Sequence, residues 1–138
     1  MDHSGTIEKL AAAGLRPTRQ RVLLGNLLFT GGCRHVTAES LHREAKSSSE
    51  TEVSLATVYN TLHQFTDASL LREVWVEGGR SYFDTNTKPH HHFLCEKTGA
   101  LVDIPEEEVQ LECLPLPPSG TSVSRVDVII RVRPAENK

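Results

Sequence analysis

The chain has 138 residues, of which 38% are hydrophobic and 24% are charged, a composition typical of a globular protein with one ordinary or two small domains. Its apolar runs are too short to span a bilayer, and its first residues lack the basic and apolar stretches of a secretion signal, so we expect a cytoplasmic protein. Three cysteines without a CxxC pair predict neither a disulfide framework nor a cysteine-built zinc site.

The net charge of −3 conceals a basic segment near the N-terminus. The acidic excess lies after residue 88. Contact with DNA phosphates requires a local basic patch and not a basic chain overall. A solvated helix face would show the same pattern, so charge alone does not establish a nucleic-acid partner. The segment between residues 9 and 36 has no acidic residue and carries Lys9, Arg16, Arg19, Arg21 and Arg34.

The first two helices are predicted from the residues that begin and end them. Residues 6–13 form a short helix that Gly14 ends. Pro17 then opens a second helix, because its fixed φ suits the first helical position, and this helix stops before Gly31. The apolar side of the second helix comprises Val22, Leu23, Leu27 and Leu28.

A third helix is predicted from Thr37, a suitable N-cap, to about Lys46. Leu41 and Ala45 lie at helical spacing and should face the core. The serine run at 47–49 is predicted as a loop, because short hydroxyl side chains compete for backbone hydrogen bonds.

A fourth helix is predicted with Ser54 as its N-cap. Leu55, Val58, Leu62 and Phe65 recur at i, i+3, i+7 and i+10, which predicts one buried stripe. The opposite face carries no charge unless its histidine is protonated. Amide, hydroxyl and aromatic groups of this kind can touch base edges in the major groove. This face comprises Thr57, Tyr59, Asn60, Thr61, His63 and Gln64.

A two-stranded hairpin is predicted over residues 71–76 and 80–84, around the turn Glu77-Gly78-Gly79. Several helices followed by such a hairpin have the element order of a winged helix, which favours DNA binding. A small helical domain with a purely structural hairpin would have the same order, so periodicity alone does not decide between them.

The C-terminal part is predicted to be mostly strand. Residues 92–95 and 99–104 form two strands, Pro105 begins a short helix, residues 114–120 are a linker and residues 126–132 form a last strand. About fifty residues of this kind cannot bury a good core alone, so we expect them to pack against a second copy. A dimer would also suit a palindromic operator.

Three consecutive histidines, His90, His91 and His92, lie between these two parts. In an extended segment His90 and His92 share one face and His91 points to the other, because side chains alternate along a strand. Two imidazoles on one face can bind the same metal ion. A solvated loop or a chance run is the alternative for the triplet taken alone.

Four ordered segments carry a family signature: GLRPTRQR at 14–21, HVTAESL at 35–41, LATVYNTL at 55–62, and the run from Gly78 through Tyr82-Phe83-Asp84 to the histidines. Together they cover nearly the whole chain and closely resemble the ferric uptake regulator (Fur) family. The resemblance implies a DNA-binding transcriptional repressor whose operator affinity depends on a metal.

The resemblance also implies an α+β protein with an N-terminal winged helix-turn-helix domain and a small C-terminal α/β dimerisation domain. We place the DNA-binding domain at 1–85, a hinge at 86–89, and the dimerisation and sensing domain at 90–138. No pair of nucleophile and base stands out in the sequence, so we predict no enzymatic activity.

Transferred by position, the resemblance implies a regulatory metal site at the hinge. Three imidazoles with two carboxylates suit Fe(II) or Mn(II). A metal that joins residues of both domains can bias one domain arrangement over another. The implied ligands are His35, Asp84, His90, His92 and Asp103.

Several positions depart from the family pattern and indicate which branch of the family the chain resembles. Cys95 lacks the second cysteine of the usual zinc-binding pair, so structural zinc is not expected, and Pro89 and His91 depart from the usual second metal site. These features resemble the iron response regulator branch, which senses iron through haem and regulates iron and haem homeostasis. That resemblance implies haem as a ligand of the run His90, His91 and His92. The alternative is the peroxide-sensing branch, which the set of three histidines and two aspartates fits equally well.

For DNA contact we favour Tyr59 and Asn60 in the recognition helix, with Arg16 near the minor groove and Arg19 on a phosphate. The expected partners are palindromic double-stranded operator DNA and a second copy of the chain. A homodimer is the expected assembly, with a tetramer as the alternative, and no membrane partner is expected.

Overall fold

The computed structural model describes residues 3–48, 52–76 and 79–136, and the chain divides into two units between Thr87 and Lys88. Helices and strands together confirm the α+β class. The described elements of the first unit are α1 (Ser4–Ala12), α2 (Arg19–Phe29), β1 (His35–Val36), α3 (Ala38–Ser48), α4 (Leu55–Asp67), β2 (Arg72–Val76) and β3 (Arg80–Asp84). Those of the second unit are β4 (His90–Cys95), β5 (Leu101–Pro105), a 3-10 turn (Glu106–Glu108) and β6 (Ile129–Val132).

Backbone capping sets the junction between α1 and α2. Gly14 has a φ of +79° after the end of α1, a conformation that glycine adopts without steric cost, as the predicted helix stop requires. The hydroxyl of Thr18 accepts a hydrogen bond from the Arg21 N–H at 3.3 Å, which makes Thr18 the N-cap of α2. The prediction that Pro17 opens this helix is therefore wrong, because the cap lies after the proline.

The buried side of α2 differs in part from the predicted one. Leu24, which the prediction omitted, is fully buried together with Leu28. Thr6 of α1 donates a hydrogen bond to the side-chain oxygen of Asn26 at 3.1 Å, and a Cβ on Gly25 would lie 2.9 Å from the Thr6 methyl group. The two helices therefore approach closely at this point. The remaining predicted apolar residues are partly buried and pack against the core: Val22, Leu23 and Leu27.

The third helix is longer than predicted. The Ser40 N–H donates to the Thr37 hydroxyl at 3.1 Å, which confirms Thr37 as the cap. Ser47 and Ser48 belong to the helix and were wrongly predicted as loop, because their hydroxyls donate to the Glu44 carbonyl, at 3.2 and 2.8 Å, and do not break the helix. Residue 49 of the predicted loop lies outside the described residues.

The buried stripe of α4 also needs one correction. Val58, Leu62 and Phe65 are fully buried, as predicted. Leu55 is 36% exposed, because the first residue of the helix lies at the edge of the core. Thr61, predicted on the opposite face, is 4% exposed and completes the i, i+3, i+4, i+7 stripe that begins at residue 58.

Loss of the cap of α4 should destabilise the first unit. Ser54 accepts the Thr57 N–H at 3.1 Å. We expect Ser54→Ala to lower the free energy of unfolding by about 1 kcal/mol, because one N–H of the first turn loses its partner. Ser54→Asp, which keeps an acceptor, is the matched control and should retain most of the stability in urea denaturation. Equal stability of the alanine variant and the unmodified protein would contradict this assignment.

The sheet of the first unit has the order β1-β3-β2, with both pairs antiparallel. The predicted hairpin is confirmed, with Val76 opposite Arg80. Strand β1 was not predicted, since two residues are too few to show a period. Because β3 is central, Asp84 lies opposite both His35 and Arg72. Of the predicted turn, residues 77 and 78 lie outside the described residues, and Gly79 has a φ of +71°.

The sheet of the second unit has the order β5-β4-β6, in which β6 runs parallel to β4. The last strand is shorter than the predicted 126–132 and begins at Ile129, because the Val128 N–H donates to a side chain, the Nδ1 of His91. β4 begins earlier than the predicted 92–95, at His90, and Gly99 lies in a turn with a φ of +77° rather than in β5. Across the described residues, no helix is long and apolar enough to cross a membrane.

Candidate metal ligands and nucleic-acid interface

Three donor groups converge on one face of the second unit's sheet. His92 lies directly opposite Asp103 in the pairing of β4 with β5. The Nε2 atoms of His90 and His92 lie 3.5 and 3.4 Å from the same oxygen, Oδ1 of Asp103. The centroids of the two imidazole rings are 4.5 Å apart. The alternation predicted for the histidine run is therefore confirmed on this face.

The hydrogen-bonding of His90 fixes its tautomer. Its Nδ1 lies 2.6 Å from the carbonyl oxygen of Lys88, which can only accept, so Nδ1 carries the hydrogen and Nε2 of the neutral ring presents a lone pair. That lone pair faces the Asp103 carboxylate across 3.5 Å. Two acceptors at such a distance repel each other unless a proton or a metal ion lies between them. The donor chemistry of this face therefore fits a metal ion.

His91 lies outside this group, as the alternation predicts. Its Nδ1 accepts the backbone N–H of Val128 at 3.0 Å, which ties β4 to the segment before β6. All three rings are at most 7% exposed. Burial and opposite orientation give haem ligation by this run no support, and the haem assignment stays a prediction.

The first unit holds a second pair of donors. His35 and Asp84 are cross-strand partners in the pairing of β1 with β3, and their Nε2 and Oδ2 atoms are 3.3 Å apart. Asp84 is fully buried, and its Oδ1 accepts the Asn86 N–H at 2.9 Å. A buried carboxylate requires compensation by hydrogen bonds or positive charge. Both residues were predicted as ligands, and they lie side by side within the first unit.

Two residues of the α4 face that is predicted to touch base edges are exposed. Tyr59 is 38% exposed, and Asn60 is also exposed. The Tyr59 ring stacks on His63, one turn later, with a centroid distance of 6.5 Å and an interplanar angle of 17°. Arg16 and Arg19 are exposed as well. Arg16 lies in the loop before α2, and Arg19 is the first residue of α2.

Comparisons with known proteins identify the family. The model of the "Ferric uptake regulator family" matches residues 12–115. The chain belongs to the ferric uptake regulator family. It is 35% identical over 104 residues to the ferric uptake regulation protein of Vibrio cholerae, covering 75% of this chain and 69% of that protein. It is 37% identical over 98 residues to the peroxide-responsive repressor PerR of Staphylococcus epidermidis, covering 71% and 64%.

Solved structures of this family share the fold. The ferric uptake regulator of Pseudomonas aeruginosa with manganese matches with a TM-score of 0.72 and 28% identity, covering 95% of this chain and 98% of that chain. The Vibrio cholerae regulator matches with a TM-score of 0.71 and 26% identity, covering 92% and 98%. Fur-family proteins are DNA-binding regulators that form dimers. The predicted family is confirmed, and the chain is a metal-responsive transcriptional regulator.

Arg21 has a role in this Fur-family chain that the sequence did not reveal. Its Nε donates to the side-chain oxygen of Gln64 on α4 at 3.2 Å, and its Nη1 donates to the Arg16 carbonyl at 2.9 Å. Arg21 therefore links the loop before α2 to α4. From the sequence, Arg21 was identified only as one cation of a basic patch, because its partner on α4 is 43 residues away.

Glu39 was also missed. The Tyr59 hydroxyl donates to its Oε1 at 2.8 Å, from α4 to the first turn of α3. This hydrogen bond is the main cause that lowers the pKa of Glu39 and raises the pKa of Tyr59. At neutral pH the pair is therefore a carboxylate and a protonated phenol.

The thiol of Cys95 has a pKa below its ordinary value. The Thr98 hydroxyl lies three residues on, and its hydrogen bond is the main cause that lowers the pKa of Cys95, with backbone hydrogen bonds from Thr98 and Lys97 adding to it. In a Cys33→Ser/Cys113→Ser protein we expect alkylation of Cys95 to rise with pH at a lower midpoint when folded than in urea, because the thiolate is the nucleophile. Thr98→Val should move the folded midpoint up. Identical midpoints for the folded protein, the protein in urea and the folded Thr98→Val variant would contradict a lowered pKa of Cys95.

Proposed function

We propose that this chain controls genes of iron and haem homeostasis by binding operator DNA with an affinity set by Fe(II) or Mn(II). The observation that carries the proposal is the convergence of two imidazoles and a carboxylate, in which the lone pair of His90 Nε2 faces Asp103. Such a group gains stability from a bound cation. The imidazole and carboxylate mixture suits ferrous or manganous ions.

One ion would take ligands from both units. His90, His92 and Asp103 supply three donors, which leaves the shell of a five- or six-coordinate ion incomplete. His35 and Asp84 are the donors that the first unit offers. A bound ion would neutralise the two carboxylates and join the two units, so its occupancy would bias the arrangement of the DNA-binding unit.

The DNA contacts would come from α4 and the start of α2. Tyr59 and Asn60 are exposed on a helix face without fixed charge, which suits base edges in the major groove. Arg19 lies at the N-terminus of α2, where backbone N–H groups and a cation favour a phosphate. Arg16 would reach the adjacent minor groove, and Arg21 would hold its loop in place.

The operator would be palindromic and bound by a homodimer, with a tetramer as a further assembly. The dimer contact would lie on the second unit, where apolar side chains are exposed on a unit too small to bury a good core. The expected cytoplasmic location follows from the DNA target. The exposed apolar side chains of this unit include Val102, Leu111, Leu114, Leu116, Val123 and Ile130.

The proposal is tested with duplexes selected from a random pool by the purified protein, with and without metal. Binding of the selected duplex is then measured while Mn(II), anaerobic Fe(II) and haem are added separately. We expect Mn(II) or Fe(II) to change operator affinity. A response to haem alone, with a Soret shift, would favour the haem-sensing branch and remove the metal from the control of DNA binding.

A second candidate function is peroxide sensing at the same site. It is favoured by the two carboxylates of the ligand group, both aspartates, and by the similarity to PerR. In this case, peroxide added to the Fe(II)-loaded protein should release the operator and add the mass of one oxygen atom to His35 or His90. The same treatment of the Mn(II)-loaded protein is the control. Retention of the operator and unmodified histidines would exclude this candidate.

A further inference from the structure

We infer that Glu39 determines which bases Tyr59 reads: by accepting the phenol hydrogen, it leaves the Tyr59 oxygen to act as an acceptor for an amino group on a base edge. The inference rests on the proposed role of Tyr59 in base reading. It assigns a specificity-determining role to a residue of α3, outside the recognition helix.

The geometry commits the phenol hydrogen to Glu39. The Tyr59 oxygen lies 2.8 Å from Oε1 of Glu39, an ordinary length for an O–H···O hydrogen bond. Glu39 stands in the first turn of α3, where the helix N-terminus and Arg43, one turn later, favour the carboxylate. An ionised carboxylate can only accept, so the direction of this hydrogen bond is fixed.

The ring of Tyr59 is also held in place. It stacks on His63, whose own ring forms a T-shaped pair with the buried Phe83 ring at a centroid distance of 5.5 Å. Tyr59 is nevertheless 38% exposed, so the side chain remains accessible to a partner. A phenol has one donor and two lone pairs, and with the donor engaged it offers acceptor sites alone.

An acceptor on this helix face discriminates between bases. Adenine N6 and cytosine N4 donate in the major groove, whereas guanine O6 and thymine O4 accept. The Tyr59 oxygen would therefore favour an amino group and disfavour a carbonyl at the position it touches. A phosphate is disfavoured too, because it offers acceptors and would face the negative charge of Glu39.

Glu39→Gln tests which group donates in the hydrogen bond between residues 39 and 59, because the substitution can keep the bond and yet allow either direction. Glutamine has nearly the same shape but can either accept from the phenol or donate to it. The first step is to find the operator position that the Tyr59 hydroxyl contacts. It is the position at which Tyr59→Phe removes the base preference of the unmodified protein. There we expect the unmodified protein to bind the amino-bearing base about fivefold better than the carbonyl-bearing one, the size of one hydrogen bond. Glu39→Gln should abolish that preference while keeping the melting temperature.

Glu52→Gln is the matched control for charge. Glu52 is exposed shortly before the N-cap of α4, so both glutamine variants remove one negative charge near the DNA face. Both should bind random DNA more tightly, and Glu52→Gln should keep the base preference. If Glu39→Gln keeps the preference for the amino-bearing base, the inference is overturned. The same holds if Tyr59→Phe leaves the base preference unchanged at every operator position. Neither result would affect the proposed control of DNA binding by metal. Failure of the unmodified protein to prefer any duplex would instead refute the proposed function along with it.

Discussion

Replacing His92 by alanine is expected to weaken Mn(II) binding by about 100-fold, whereas replacing His91 should leave it unchanged. His92 places its Nε2 3.4 Å from Asp103 on the face with His90, while the neighbouring His91 uses its Nδ1 to accept the Val128 N–H. Loss of residues that merely support metal ligands costs about 10- to 100-fold in affinity, so loss of a ligand should reach the upper end. The affinities can be measured by isothermal titration calorimetry.

The two substitutions control for each other, because they remove the same side chain from adjacent positions of β4. His91→Ala should instead lower the free energy of unfolding by about 1 kcal/mol, the value of one hydrogen bond. Equal losses of Mn(II) affinity in both variants would contradict the assignment of the two faces of β4.

Replacing Tyr59 by alanine is expected to reduce the ratio of operator to random-DNA affinity by about tenfold or more. Loss of recognition at one base pair of an operator typically costs about 1–3 kcal/mol, and Tyr59 is exposed on the uncharged face of α4. Affinity for random DNA should change little, because the phenol carries no charge. Fluorescence anisotropy with both duplexes at one salt concentration measures this ratio.

Arg19→Ala is the contrasting variant for this measurement. Arg19 is exposed at the start of α2, where a phosphate contact is proposed. Its loss should weaken operator and random DNA alike and reduce the slope of log affinity against log salt by about 0.9. If Tyr59→Ala weakened both duplexes equally, Tyr59 would be an anchor rather than a reader.

Periodicity predicted the helices well because their buried positions repeat locally. Val58, Leu62 and Phe65 lie in the core as the pattern required. Some errors fall within helices, where neighbouring elements decide which flank is buried, and others fall at helix ends, where side-chain caps and edges decide. Thr18 moves the start of α2 beyond Pro17, and Leu55 lies at the rim of the core.

Long-range pairing could not be predicted in the same way. Nothing local indicates that β1 pairs with β3, or that β6 is shortened because the Val128 N–H is taken by His91. The ligands of each unit were assigned from the family resemblance, and strand alternation independently separated His91 from its two neighbours. Arg21 and Glu39 were missed because their partners lie on another helix, 43 and 20 residues away.

We propose that a metal held by these histidines and aspartates controls operator binding. Operator affinity and metal binding, measured on the same sample across a Mn(II) titration, test whether the two are coupled. We predict that operator affinity changes at least about tenfold, an allosteric coupling of ordinary size, with a midpoint that coincides with metal binding. In Asp103→Asn both midpoints should move together to higher Mn(II) concentrations. Saturation with Mn(II) that leaves operator affinity unchanged would contradict the claim.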